Sequence, residues 1–247
     1  VYAFRLTQTE EKIVVSNGHI SPGVYSVLAE CGVIDKETVC NEFRQIGSVY
    51  EGHVTRHIPG IYFGTGPLGV GTSATAGFAY GEKLKSEGNA KKVFGVLGDG
   101  EAQEGQVHEM ALFAAKQKLD NLIMFCDYNR VQLTDSLENT LPIDVSAMFL
   151  AHGWHVIDID GHDFEAIWSA ISEAMESDKP VMIVGQTIMG KGVPLMEPDG
   201  AADNPAWHGK APKPDVIDAQ LALPELTLSK EEDTALDAFR KNRNFQP

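Results

Sequence analysis

Cysteine is scarce in this 247-residue chain: Cys31, Cys40 and Cys126 show neither a CxxC nor metal-ligand spacing. That excludes a disulfide scaffold or a zinc ribbon, and a sparse, odd count fits a reducing cytoplasm. Basic residues are also few, 20 against 35 acidic, which gives a formal net charge of −15. Nucleic acid and anionic membrane are therefore disfavoured as partners. No apolar run approaches the ~20 residues of a membrane span, and no secretory leader, internal repeat or low-complexity stretch is visible. The first residue is Val1 and not Met, so an upstream start is expected. What is present is 43% hydrophobic residues, ample for a core, in a length that allows one large α/β domain or two small ones.

The segments alternate between strand and helix patterns. Short apolar runs at Lys12–Val15, Val93–Gly98, Leu122–Tyr128, His155–Ile159 and Val181–Gln186 read as buried strands. Helices are expected over Ser21–Glu30, where Ser21-Pro22 is the start signal, and over Lys36–Phe43, Leu68–Leu84 and Gln103–Leu119. A further helix, Phe164–Met175, repeats Phe164, Ile167, Ile171 and Met175 at helical spacing, so all four are expected in the core. Ile61–Phe63 reads as a short extended piece. Residues 190–214, rich in Gly and Pro, read as a long loop, and Ser229 as the cap of a terminal helix. The fold class expected is α/β, a doubly wound, mostly parallel sheet with helices on both faces. A single domain should cover 1–247, with 190–247 as its loop and helical appendage.

Asp99 and Asn129 carry the chemistry. Each follows an apolar strand, and the segment between them is long enough for a crossover helix. Such a βαβ unit delivers both oxygen-bearing side chains to one edge of a parallel sheet, where ligands bind. One carboxylate and one amide oxygen suit a hard divalent cation that completes its shell with phosphate oxygens. Gly98 and Gly100 let backbone approach those phosphates, and the following helix offers amides to them. Gly64–Gly69 also matches GxGxxG. A dinucleotide site, however, needs an acidic residue at the end of the next strand. Glu82 and Glu87 fall inside or just after a helix instead, and Pro67 removes a useful amide.

Gly98-Asp99-Gly100 followed by Asn129 resembles the thiamine-diphosphate motif. Further segments are similar to transketolases: Ser16-Asn17-Gly18-His19; Phe43-Arg44-Gln45 with Gly52-His53; Thr65-Gly66-Pro67-Leu68-Gly69-Val70-Gly71; Gly98 to Gln106; and Trp207-His208-Gly209-Lys210-Ala211-Pro212. They run in the family's order and span almost the whole chain. The resemblance implies thiamine diphosphate and Mg²⁺, with Ca²⁺ or Mn²⁺ as substitutes. It implies that Asp99, Asn129 and the carbonyl of Val131 ligate the metal and that His19 meets the diphosphate. Gly66 would meet the aminopyrimidine, Leu68 and Leu133 would brace the cofactor, and Glu104 would support the adjoining subunit contact. His53 and His208, with His19, would line the cleft and assist proton transfer. No role follows for His57, His108, His152, His155 or His162, which are expected to be solvated or hydrogen-bonded structural residues.

Two departures bear on specificity. The family's Gly-His pair upstream of the S-x-G-H segment is absent, and Val54-Thr55 replaces the commoner Pro-Glu after His53. Arg56-His57-Ile58-Pro59 also lies outside the pattern. The family activates its cofactor with a Glu from a separate pyrimidine-binding domain, which this chain lacks. The reading is therefore one subunit of a split transketolase, paired with a pyrimidine-domain chain as a 2+2 heterotetramer and self-associating. A fragment of a longer chain would look the same. The activity implied is ketol transfer between sugar phosphates, in the cytoplasm. Alternatives are a 1-deoxyxylulose-phosphate synthase-like subunit and a catalytically silent cofactor-binding or assembly subunit.

Overall fold

A computed structural model of the protein describes residues 12–86, 88–213 and 216. Strands β1 (Lys12–Val15), β2 (Val93–Gly98), β3 (Leu122–Tyr128), β4 (His155–Asp160) and β5 (Val181–Gln186) form one sheet in the order β1-β2-β3-β5-β4. Every neighbouring pair is parallel. The helices are α1 (Ser21–Glu30), α2 (Lys36–Glu42), α3 (Val70–Lys85), α4 (Gly105–Lys116), α5 (Leu137–Thr140), α6 (Val145–Ala151), α7 (Phe164–Met175) and α8 (Glu197–Ala201).

Parallel neighbours require crossovers, and the right-handed rule fixes the side each helix takes. The chain steps across the sheet from β1 to β2 to β3, passes on to the edge at β4, and then returns to β5. Helices α3, α4 and α6 therefore share one face, and the return through α7 covers the other. Strand alternation shows the same division. Val93, Leu97, Leu122, Met124, Met182 and Val184 pack with the first three helices, while Phe94, Ile123, Val181 and Ile183 pack with α7. Burying one such aliphatic side chain contributes about 2 kcal/mol. The sheet is thus doubly wound as expected, and wholly parallel among the described strands.

A third cluster joins α1 to the loop that follows α2, through Val24, Tyr25, Leu28, Tyr50, Val54, Ile58 and Ile61. Ile61–Phe63 is not a strand. No strand therefore leads into Gly64–Gly69, which removes the strand-turn-helix geometry of a dinucleotide site. Phe164 corrects a second expectation. Asp163 caps α7 by accepting from Glu165 N at 2.8 Å, so Phe164 is the helix's first residue. Helical side chains lean toward the N-terminus, and this ring projects past the helix end, 79% exposed. Ile167, Ile171 and Met175 do pack as expected.

Residues 190–214 are not loop throughout. Pro198 sits in the first turn of α8, where a missing N–H costs nothing. Asn204 accepts from Ala206 N at 3.1 Å to start a 3-10 turn at Pro205–Trp207. Trp207 Nε1 then donates to Asp199 at 2.8 Å, tying that turn back to α8. The expected C-terminal helix at Ser229 lies outside the described residues.

Candidate functional site

The carboxyl ends of β2 and β3 are adjacent, with Gly98 paired to Asp127. Asp99 leaves β2 at this edge and is 3% exposed. Its carboxylate accepts from Gly100 N at 2.6 Å and from Arg130 N at 2.6 Å. Burial is the main cause that pushes its pKa up to about 6, and those amides oppose the shift. A buried carboxylate with amide donors and no cationic side chain among these partners could serve as a metal ligand.

Asn129 is oriented by its neighbours. Its Nδ2 donates to Asp127 at 3.1 Å, and its Oδ1 accepts from Val131 N at 2.9 Å. Thr187 donates to the other Asp127 oxygen. An isolated bridge joins Val131 to Ser136. Its hydrogen bonds, Leu137 N to Arg130 O at 2.8 Å and Gln132 N to Asp135 O at 2.9 Å, use the flanking carbonyls and not that of Val131. Asp99, Asn129 and the Val131 carbonyl could thus offer three oxygens. Among the described residues no group of three His, Cys, Asp or Glu could hold a metal. A cation here would have to draw the rest of its shell from a phosphorylated ligand and water.

Glu101 organises the wall beside this cradle. It is buried, accepts from Gly69 N at 2.7 Å and Gly98 N at 3.3 Å, and receives the Ser16 hydroxyl. Burial raises its pKa, and these donors counter that. Ser16 can approach because the facing residue of α3 is glycine: a Cβ on Gly71 would lie 2.6 Å from Ser16 Cα. Thr65 donates to Val15 O at 2.9 Å, which pins the Gly-rich loop to the end of β1.

The histidines gather at the same edge. The rings of His19 and His208 are 6.0 Å apart. A Cβ on Gly18 would come within 3.1 Å of His53 Cδ2. Loss of water around the ring lowers the His19 pKa, helped by His208 and His53, while Asp127 opposes. Burial lowers that of His208. Neutral imidazoles result at neutral pH, able to accept a proton or a hydrogen bond.

Gly66 faces open space, since a Cβ there would meet nothing within 4 Å. Leu68 and Leu133 are not core residues: they are 39% and 69% exposed. Leu133 lies beside the His208 loop, where a Cβ on Gly209 would be 3.4 Å from Leu133 Cδ1. Glu104 is exposed at the N-cap of α4 and carries no capping bond. The remaining histidines take structural positions. His108 Nδ1 and His152 Nε2 lie 3.3 Å apart, His155 pairs with Glu173 at 2.8 Å, and His162 accepts from Ile188 N at 2.8 Å. Exposed His57 has no such role.

Three site atoms are buried without a hydrogen-bond partner: Asn17 Oδ1, Gln132 Nε2 and His208 Nδ1. A buried orphan of this kind costs roughly 1–3 kcal/mol, and three around one edge fit a polar ligand. Sequence reasoning gave no role to Asn17 or Gln132. Gln132 packs on the Asp99 turn, with its Nε2 2.9 Å from where a Gly100 Cβ would stand. Only tertiary contact shows that position.

Together these residues make an α/β domain whose sheet edge can take a phosphorylated ligand bridged by a hard cation. The family described as "Transketolase, thiamine diphosphate binding domain" matches residues 7–221, and the chain belongs to that family. The chain is similar to the transketolase of Rattus norvegicus, 36% identical over 201 residues covering 81% of this chain and 31% of that one. It is also similar to the 6-deoxy-6-sulfo-D-fructose transketolase subunit SqwG of Clostridium sp. (strain MSTE9), 36% identical over 197 residues and covering 78% and 70%. The solved transketolase of Campylobacter jejuni superposes with TM-score 0.73 at 32% identity, covering 78% of this chain and 31% of that one. The chain spans about a third of the length of the full transketolases it matches.

Proposed function

We propose that this chain binds thiamine diphosphate with Mg²⁺ and serves ketol transfer between sugar phosphates, paired with a separate pyrimidine-domain subunit. The observation that carries the reading is one sheet edge with Asp99, Asn129, His19 and His208 around three buried, unpartnered polar atoms. Family membership supplies the cofactor. Asp99, Asn129 and the Val131 carbonyl would hold the cation, and the amides near Gly98 and Gly100 would face the diphosphate. Bound thiamine diphosphate supplies the electron sink that stabilises a carbanion. His19 would hold the diphosphate end, His53 and His208 would assist proton transfer at substrate hydroxyls, and Leu68 and Leu133 would brace the cofactor.

The proposal of a split enzyme, a 2+2 heterotetramer, draws on a relative named as a subunit, 70% of which this chain covers. That relative's name also makes a sulfonated sugar a donor to include in any screen. A cytoplasmic site of action fits the free cysteines, and among the described residues no helix is long and apolar enough to cross a membrane.

Calorimetric titration of thiamine diphosphate with Mg²⁺ tests the reading. Saturable binding that disappears in a folded Asp99→Ala protein is expected. Unchanged affinity in that variant would remove the metal assignment.

A further inference from the structure

Four described non-glycine residues adopt positive φ, and two of them, Arg130 (+61°) and Asp203 (+53°), are joined to each other. Arg130 Nε and Nη2 both approach Asp203 Oδ1, at 3.1 and 3.0 Å. Left-handed backbone at a non-glycine residue is costly and gathers where surrounding contacts over-determine the geometry. Each end of this pair is built into a different half of the site. Arg130 donates its own N–H to Asp99 and lies between Asn129 and Val131. Asp203 follows α8 and precedes the 3-10 turn that leads into His208. Its N–H donates to Gly200 O at 3.1 Å, so its position is fixed by α8.

The ion pair also borders an open surface pocket of about 360 Å³, whose lining includes Tyr128, Leu137, Glu138 and Asp144. A hydrogen-bonded ion pair that joins two loops can carry a displacement from one to the other.

We propose that Arg130 and Asp203 are positioning residues that couple occupancy of the Asp99–Asn129 cradle to the placement of the His208 loop. A ligand that draws in the Asp99 carboxylate acts on Arg130 through its amide, and the guanidinium carries the change to Asp203 and so to His208. Such a coupling is reciprocal: fixing the His208 loop tightens the cradle by the same factor. This inference rests on the thiamine diphosphate reading above.

Hydrogen exchange of the full chain, with and without Mg²⁺ and thiamine diphosphate, tests it. In the wild type, added cofactor should slow exchange at 98–101 and also at 199–210, by about fivefold or more in the latter. Asp203→Asn should keep the first protection and lose the second. The charge exchange Arg130→Asp with Asp203→Arg should restore it, since Asp tolerates left-handed backbone. A pair that only braces the fold would change exchange equally with and without cofactor. Equal cofactor-induced protection at 199–210 in wild type and Asp203→Asn would overturn the coupling while leaving cofactor binding intact. No protection at 98–101 in the wild type would overturn the cofactor reading, and the coupling with it.

Discussion

The Asp99 carboxylate gives the candidate site one response to pH. With no cation bound, ionisation of Asp99 works against folding. Its contribution to stability is present in the acid form and is lost as pH rises through about 6. A bound cation reverses that sign, because metal and proton compete for one group. Mg²⁺-dependent cofactor affinity should therefore be flat above about pH 6 and fall roughly tenfold per unit below it, which titration at several pH values would show. The proposed roles of the histidines separate binding from chemistry. His208→Ala, assayed together with a pyrimidine-domain subunit, should keep near-normal cofactor affinity and lose on the order of a hundredfold in turnover. His19→Ala should bind cofactor more weakly and recover turnover in excess cofactor; full rescue of His208→Ala instead would make the loop histidine structural. That Asp99 and Asn129 reach one sheet edge was legible in the sequence because each directly follows an apolar strand. Asn17, Gln132 and the Arg130–Asp203 pair were not, since nothing local marks residues whose partners lie on another loop.

Within α3, two glycines do opposite work. Gly71 touches Ser16 on the strand side, whereas a Cβ on Gly77 would meet nothing within 4 Å. Gly71→Ala should push the helix off β1, loosen the Ser16–Glu101 contact and cost about 1–3 kcal/mol. Gly77→Ala should instead stabilise by up to about 1 kcal/mol through helix propensity. Thermal unfolding of the two variants checks the contrast, and equal effects would show that α3 does not depend on this close approach. Strands and long helices could be read because period and burial agree in them. Helix ends could not: Phe164 continues the apolar period but lies beyond the sheet it was expected to cover. Nor could α8, whose Pro198 and Gly200 look like loop residues until the first-turn position of one and the packing of the other against Met189 are seen.

As a whole, the chain spans about a third of the full transketolases it matches, and on the proposed reading the rest of the reaction centre comes from a partner. Purified alone, it should show no ketol transfer even with saturating cofactor and Mg²⁺, and activity should appear with a pyrimidine-domain partner. Robust turnover with the partner shown absent by mass spectrometry would refute the split-enzyme reading. The sheet order also dictates when the site can exist. β2 pairs with β3, and β4 with β5, through single βα units, but Lys12 must find Val93 across the whole of α1, α2 and α3. Closing so long a loop is slow, since its entropy is lost before any contact rewards it. On the ribosome, β1 must wait exposed until β2 has been synthesised. In refolding of the whole chain, Ser16, Asn17 and His19, which follow the end of β1, should then join the cradle late. Pulse-labelled exchange during refolding should find amides of 13–16 protected after those of 94–97 and 123–126.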